Sequence, residues 1–118
     1  MFKLTSEHRF WATVTVHEPG STAPTTFEMC FEALSSDDAA ALVRAANEAA
    51  QTSLEAANAE ELRQIRHIAR DWRDVVDADG AAVPFSDQAL EDACRWAWVR
   101  TGIIRSYGAA VVGARLGN

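Results

Sequence analysis

The sequence predicts an α+β domain: an N-terminal antiparallel β-hairpin at about residues 9–33, packed against a mainly α-helical body of about four helices between about 36 and 112. Three observations lead there. Before residue 34, apolar residues recur at every second position, the period of a half-buried strand. After residue 36 they recur at three- and four-residue spacing, the period of a helix face. The length of 118 residues, 48% hydrophobic and 24% charged, is enough for one core without metal or disulfide support.

The hairpin comes first. From Arg9 to His17, Phe10, Ala12, Val14 and Val16 alternate with Trp11, Thr13, Thr15 and His17. Glu18-Pro19-Gly20-Ser21 forces a turn. Phe27, Met29, Phe31 and Ala33 then alternate with Thr26, Glu28, Cys30 and Glu32. A lone hairpin is marginal in water, so its apolar face requires the helices as cover. Ser35 is the expected cap of the first helix, with Asp37 and Asp38 suited to its positive end. No Gly or Pro interrupts the chain from there to Trp72, but a helix of that length is improbable, so a break is expected between Thr52 and Asn58. Asn58 and Glu61 resemble a capping box that would open a second helix, whose core stripe would be Leu62, Ile65, Ala69 and Trp72. Asp77-Ala78-Asp79-Gly80 is a turn, and an EF-hand frame fails on it because Val75 would fall at the first ligand position. Ser86 should cap a third helix, with Phe85 stapled to Leu90 and an apolar line through Leu90, Cys94 and Ala97. A last helix is expected from Val99 to Val112, where Gly102 and Gly108 suggest close approach of another backbone.

The side-chain inventory points away from catalysis. His8, His17 and His67 have no metal-ligand spacing, no nucleophile motif or phosphate loop is present, and Asp74, Asp77 and Asp79 read as a solvated turn. No enzyme activity, cofactor or metal is therefore expected. Cys30 and Cys94 lack CxxC spacing and read as buried free thiols. The net charge of −6 argues against nucleic acid as a partner. With neither an apolar leader nor an 18-residue apolar run, the expectation is a protein of the reducing cytosol with no membrane partner.

Two patterns suggest binding. Arg63, Arg66, Arg70 and Arg73 recur at 3-4-3 spacing, one stripe on the expected second helix, whereas residues 36–62 carry six acids and only Arg44. The stripe reads as a solvated face paired with those acids, as a docking aid for an acidic partner or, more weakly against the overall negative charge, as a contact for nucleic acid. The final helix carries Val99, Ile103, Ile104, Tyr107, Val111 and Val112, an arc wider than one buried stripe needs. Its surplus is either covered within the domain or by self-association, or offered to a partner. Ile103, Ile104, Tyr107 and Val111, with the four arginines, are the candidate partner-binding residues.

Phe2-Lys3-Leu4 followed by Phe10-Trp11-Ala12-Thr13-Val14, the segment Asp71-Trp72-Arg73-Asp74-Val75-Val76-Asp77-Ala78-Asp79-Gly80 running into Val83-Pro84-Phe85-Ser86, and the ending from Tyr107 to Gly113-Ala114-Arg115-Leu116-Gly117-Asn118 together resemble the tail assembly chaperones of long-tailed bacteriophages. Asp71 stands where members often carry glycine, and Ala97-Trp98 at about the place of a frequent Pro-Gly. The resemblance implies a non-enzymatic protein that binds the phage tape measure protein, helps recruit the tail tube protein, and acts in the host bacterial cytoplasm without entering the mature virion. The alternative is a minor structural or connector protein retained in the tail. A homo-oligomer is compatible with either.

Overall fold

The computed structural model describes residues 1–112. The elements run β1 (Arg9–Val16), β2 (Thr25–Glu32), α1 (Ser36–Thr52), α2 (Leu54–Ile68), β3 (Ala69–Arg73), α3 (Asp87–Ala93) and α4 (Ala97–Val111). The architecture is the expected α+β, with one strand more than the hairpin. The three strands form an antiparallel sheet in the order β1-β2-β3.

The hairpin pairs Arg9 with Glu32 and Val16 with Thr25, so Val14 and Val16 share an inner face with Met29 and Phe31. Trp11, Thr13, Glu28 and Cys30 fall on the opposite face, which none of the described helices covers. There Thr13 Oγ1 donates to Glu28 Oε2 at 2.7 Å, and the Arg73 guanidinium carbon lies 3.8 Å from the centre of the Trp11 ring. Cys30 is only half-buried on that face, against the expectation for it, whereas Cys94 is buried as expected.

The helix break falls at Ser53, inside the expected interval, but not at Asn58. Ser53 Oγ accepts from the Ala56 amide at 3.0 Å, while the side-chain oxygen of Asn58, Oδ1, instead accepts from Arg100 at 3.0 Å. A serine hydroxyl one residue beyond α1 satisfies a free amide at once, so no capping box is needed further on.

The largest departure lies at residues 69–73. The expected second helix does not continue to Trp72: α2 ends at Ile68 and the chain enters β3 directly. Phe31 pairs with Ala69, Cys30 with Asp71 and Met29 with Trp72, so Arg70 is the extra residue of a bulge. The bulge puts both Ala69 and Trp72 on the inner face although they are three residues apart. Strand and helix readings of that spacing therefore coincide, and pairing with β2 decides for the strand.

One contiguous core fills the space between the inner face of the sheet and α2, α3 and α4. Phe31, Met29, Ile65, Leu90, Ile103 and Val14 are its largest fully buried side chains. Trp72 is buried, as expected, with its indole nitrogen donating to the Val83 carbonyl at 2.8 Å. Phe85 meets the Trp72 ring edge-on at 5.2 Å. The Asp77–Gly80 turn forms as read, with Asp77 Oδ1 accepting from the Asp79 and Ala81 amides and Gly80 at φ 84°. Ser86 caps α3 through the Ala89 amide. The last two helices are separate, and Ala97, expected on the apolar line of α3, is exposed at the start of α4.

Arg100 is buried within this core. Its guanidinium donates to Glu61 at 2.6 Å, to the Cys94 carbonyl at 2.7 Å and to Asn58 at 3.0 Å. The three bonds satisfy a charge that would be costly unpaired, and they tie α2 to the α3–α4 connection. The sequence did not single it out, because Arg105 on the same helix is exposed.

Candidate interaction surface

The sides of α4 meet different surroundings. On one side, a Cβ built at Gly102 would lie 2.5 Å from the Thr15 carbonyl oxygen and 2.7 Å from Val16 Cγ1, so only glycine lets β1 come this near. Ser106 Oγ accepts from the Thr15 amide at 3.2 Å beside it. The close backbone approach expected of small residues in this helix is therefore made at Gly102, by β1. Gly108 has nothing within 4 Å.

Ile103 is completely buried. It is a packing residue of this fold and offers no surface to a partner. Tyr107 is half-buried and anchored: its hydroxyl donates to the Glu32 carbonyl at 3.1 Å and accepts from the Leu34 amide at 3.0 Å, and its ring meets Phe31 at 5.2 Å. Burial pushes its phenol above the ordinary range. It thereby fixes the link from β2 to α1. Ile104 and Val111 are open to solvent, at 36% and 44% exposure, and Val112 at 64%.

Ile104 and Tyr107 form one wall of an apolar groove of about 290 Å³. The opposite wall is α1, through Ala39, Leu42, Val43 and Ala46, and α2 lies between them with Gln64 and Ile68. The groove exists because α1 packs principally on α2 and buries none of its own residues. Gln64 holds the two helices together by donating to the Leu42 carbonyl at 2.9 Å. Val43 stays 59% exposed on the rim. Leu42, Val43 and Ala46 are the part of this surface that the sequence reading passed over; their 3-4 spacing with Ala39 was the available signal.

The arginines do not make one stripe. Arg63 and Arg66 lie on α2, but Arg70 and Arg73 lie on β3, so the helical periodicity that aligned them ends at Ile68. Arg63 pairs with Glu60 at 2.6 Å and Arg66 with Glu91 at 2.9 Å. Arg70 lies 3.6 Å from Glu32 and bonds the Arg66 and Ala69 carbonyls, while Arg73 stacks on Trp11. Arg63 and Gln64 hydrogen bonds hold the Glu60 carboxyl below its ordinary range. Partial desolvation opposes ionisation of Glu32, but the His8 amide, Arg9 and Arg70 outweigh it and lower its pKa.

Two larger hollows open elsewhere. One of about 430 Å³ lies beneath the hairpin end, between Phe27, Trp72, Val75 and Trp98. The other, about 480 Å³, is a crevice between the end of β1 and α4, lined by Thr15, His17, Trp98, Thr101 and Arg105. Among the described residues, no group of three or more His, Cys, Asp and Glu side chains converges to hold a metal ion. Cys94 sits in the core, where burial pushes its thiol up to about 11, so it is protonated at neutral pH. No described helix is long and apolar enough to cross a membrane.

No family model, curated protein or solved structure matches the chain. The Tyr107–Asn118 part of the resemblance extends into residues 113–118, outside the described ones.

Proposed function

We propose that the α1–α4 groove seats an amphipathic helix of an elongated partner, and that the protein is a non-enzymatic tail assembly chaperone. Its partner on this reading is the tape measure protein of a long-tailed phage. The observation that carries the reading is the groove itself, whose walls are apolar and whose rim leaves Val43 and Ile104 exposed. Helix-in-groove recognition uses apolar anchors at three- and four-residue spacing, and a helix-rich partner supplies them. A net charge of −6 on the chain would keep the resulting complex soluble. Recruitment of the tail tube protein, action in the host bacterial cytoplasm and absence from the finished virion follow from the chaperone reading.

The test is capture of tape measure fragments encoded in the same genome. Val43→Asp and Ile104→Asp place a charge in the groove at exposed positions and should leave the fold intact while abolishing capture. If both folded variants capture the fragments as well as wild type does, the groove is not the docking site. Mass spectrometry of purified virions separates a chaperone, which should be missing, from a connector protein retained in the tail.

A further inference from the structure

β1 is an edge strand. In an antiparallel pair, alternate residues direct both backbone groups to the neighbour and the others direct both away. The His8 carbonyl accepts from the Ala33 amide at 2.8 Å, so even-numbered residues face β2. The amides and carbonyls of Arg9, Trp11, Thr13 and Thr15 therefore point outward. Thr15 is covered by α4 through Ser106 and Gly102. Among the described residues, none bonds the outward groups of Trp11 or Thr13. A length of open edge thus runs from Arg9 to Thr13 and stops where α4 begins. Natural sheets normally cover or blunt such an edge, because it templates another strand.

The segment that leads into this edge strand is unpacked: Phe2 is 84% exposed and Leu4 89%. We propose that the occupant of the edge is a second copy of this chain, with β1 pairing antiparallel to β1 of its partner about a two-fold axis at Trp11 and the segment before β1 lying in the partner's β1–α4 crevice. This contact uses the β1 side of α4, away from the α1–α4 groove, and does not depend on the proposed function.

The register follows from the open groups. With Trp11 opposite its own copy, Arg9 falls opposite Thr13, and about six backbone hydrogen bonds close a continuous six-stranded sheet. The arginines stay separated from each other. Each Arg9 instead arrives beside Thr13 of the other copy, whose hydroxyl already bonds Glu28, so opposite charges are brought near across the junction. Continuing the same register puts Glu7 level with Thr15 of the other copy, where α4 blocks further pairing. The chain must there leave the edge for the crevice, and Glu7 meets exposed Arg105 and His17. Leu4 and Phe2 then have Trp98 in the same crevice as apolar cover. An isologous contact of this kind is self-complementary and closes at two copies.

The experiment is sedimentation equilibrium of the full chain from about 1 to about 100 μM, a range that resolves micromolar association. A dimer is expected; a monomer throughout, or an assembly that grows beyond two copies, would overturn the proposal. Thr13→Pro removes an outward amide and no β1–β2 backbone bond; the exposed Thr13–Glu28 side-chain bond goes with it, so Thr13→Val, which loses only that bond, is the control. Losing the amide donor in both copies should weaken dimerisation by about tenfold or more, with an unchanged circular dichroism spectrum. A folded Thr13→Pro protein that dimerises like wild type rejects the contact. Should Thr13→Pro not fold, the charge pair decides: Arg105→Glu should weaken the dimer, and adding Glu7→Arg should restore it. If the single change has no effect, or the second fails to rescue it, the crevice is not where the segment lies.

Discussion

α1 and α2 are helices of similar length, 17 and 15 residues, joined through the single residue Ser53, yet they stand in different relations to the core. α2 buries Ile65 and Ile68, receives Arg100 through Asn58 and Glu61, and passes into β3 without a loop. α1 buries nothing and rests on α2. Their sequences are comparably amphipathic, so the difference comes from placement: α2 is covered on its other sides by the sheet, α3 and α4, whereas α1 stands outside that packing. Amphipathicity says that a face wants cover. Whether the domain or a partner supplies it depends on what the topology leaves nearby.

The largest effect that would test this division is expected in the clamped half. Trp72→Ala removes a buried ring that meets Phe27 and Phe85 edge-on and bonds the Val83 carbonyl. It should cost about 3–5 kcal/mol, a large share of the roughly 5–15 kcal/mol that holds an ordinary domain folded, and lower the melting temperature sharply. An unchanged melting temperature would mean that β3 is not part of the core.

The two glycines of α4 sharpen the comparison, because one lies against the sheet and the other is open. Gly102→Ala forces a methyl against the Thr15 carbonyl and Val16, and overpacking of this kind costs about 1–3 kcal/mol. Gly108→Ala meets nothing and should stabilise the helix by about 0.5–1 kcal/mol. Opposite signs in urea denaturation are expected; equal signs would show that β1 does not approach Gly102 as described.

How much of this was legible in the sequence follows from the same contrast. The hairpin and the serine caps at Ser35 and Ser86 depend on local period or local hydrogen bonds, and were readable; Trp72 is buried as expected, but through pairing with Met29 and not as the end of a helical stripe. β3 was not, because the Arg70 bulge lets a strand imitate helical spacing, and only pairing with β2 reveals it. The arginine stripe failed for the same reason. Of the proposed contact residues, Ile104 and Val111 are at the surface, Tyr107 is half-buried on the groove wall and Ile103 is core. A helix arc shows how much surface is apolar; which part is covered depends on where β1 crosses it.

Glu32 gives a pH test at the join of the hairpin and β3. The His8 amide, Arg9 and Arg70 hold its carboxyl below the ordinary glutamate range in the folded protein. A lowered folded-state pKa contributes stability above the unfolded value and loses it as pH falls through the folded one. Glu32→Gln should therefore lower the melting temperature at neutral pH, and the gap to wild type should narrow as acid pH carries the wild-type carboxylate through its lowered folded-state pKa. Glu60 is shifted in the same direction, so the variant keeps part of the acid sensitivity. A gap that stays constant from neutral to acid pH would show that Glu32 contributes by packing and not by charge.

The smallest effect on stability is expected at α1, and its smallness is the point. Val43 is 59% exposed and lines the groove without entering the core, so Val43→Asp should change unfolding free energy by no more than about 0.5 kcal/mol. Ile65→Ala, one helix away, should cost about 2–5 kcal/mol because Ile65 has no exposed surface. Hydrogen exchange gives an independent reading. A helix with little buried area opens locally at lower free energy than the global transition, so α1 amides should exchange before those of α2. A helix that opens alone can also shift on α2 to widen the groove for a larger side chain, which a rigid wall could not do. Equal protection along both helices would make α1 part of the cooperative core, and recognition at the groove would then depend on the shape it already has.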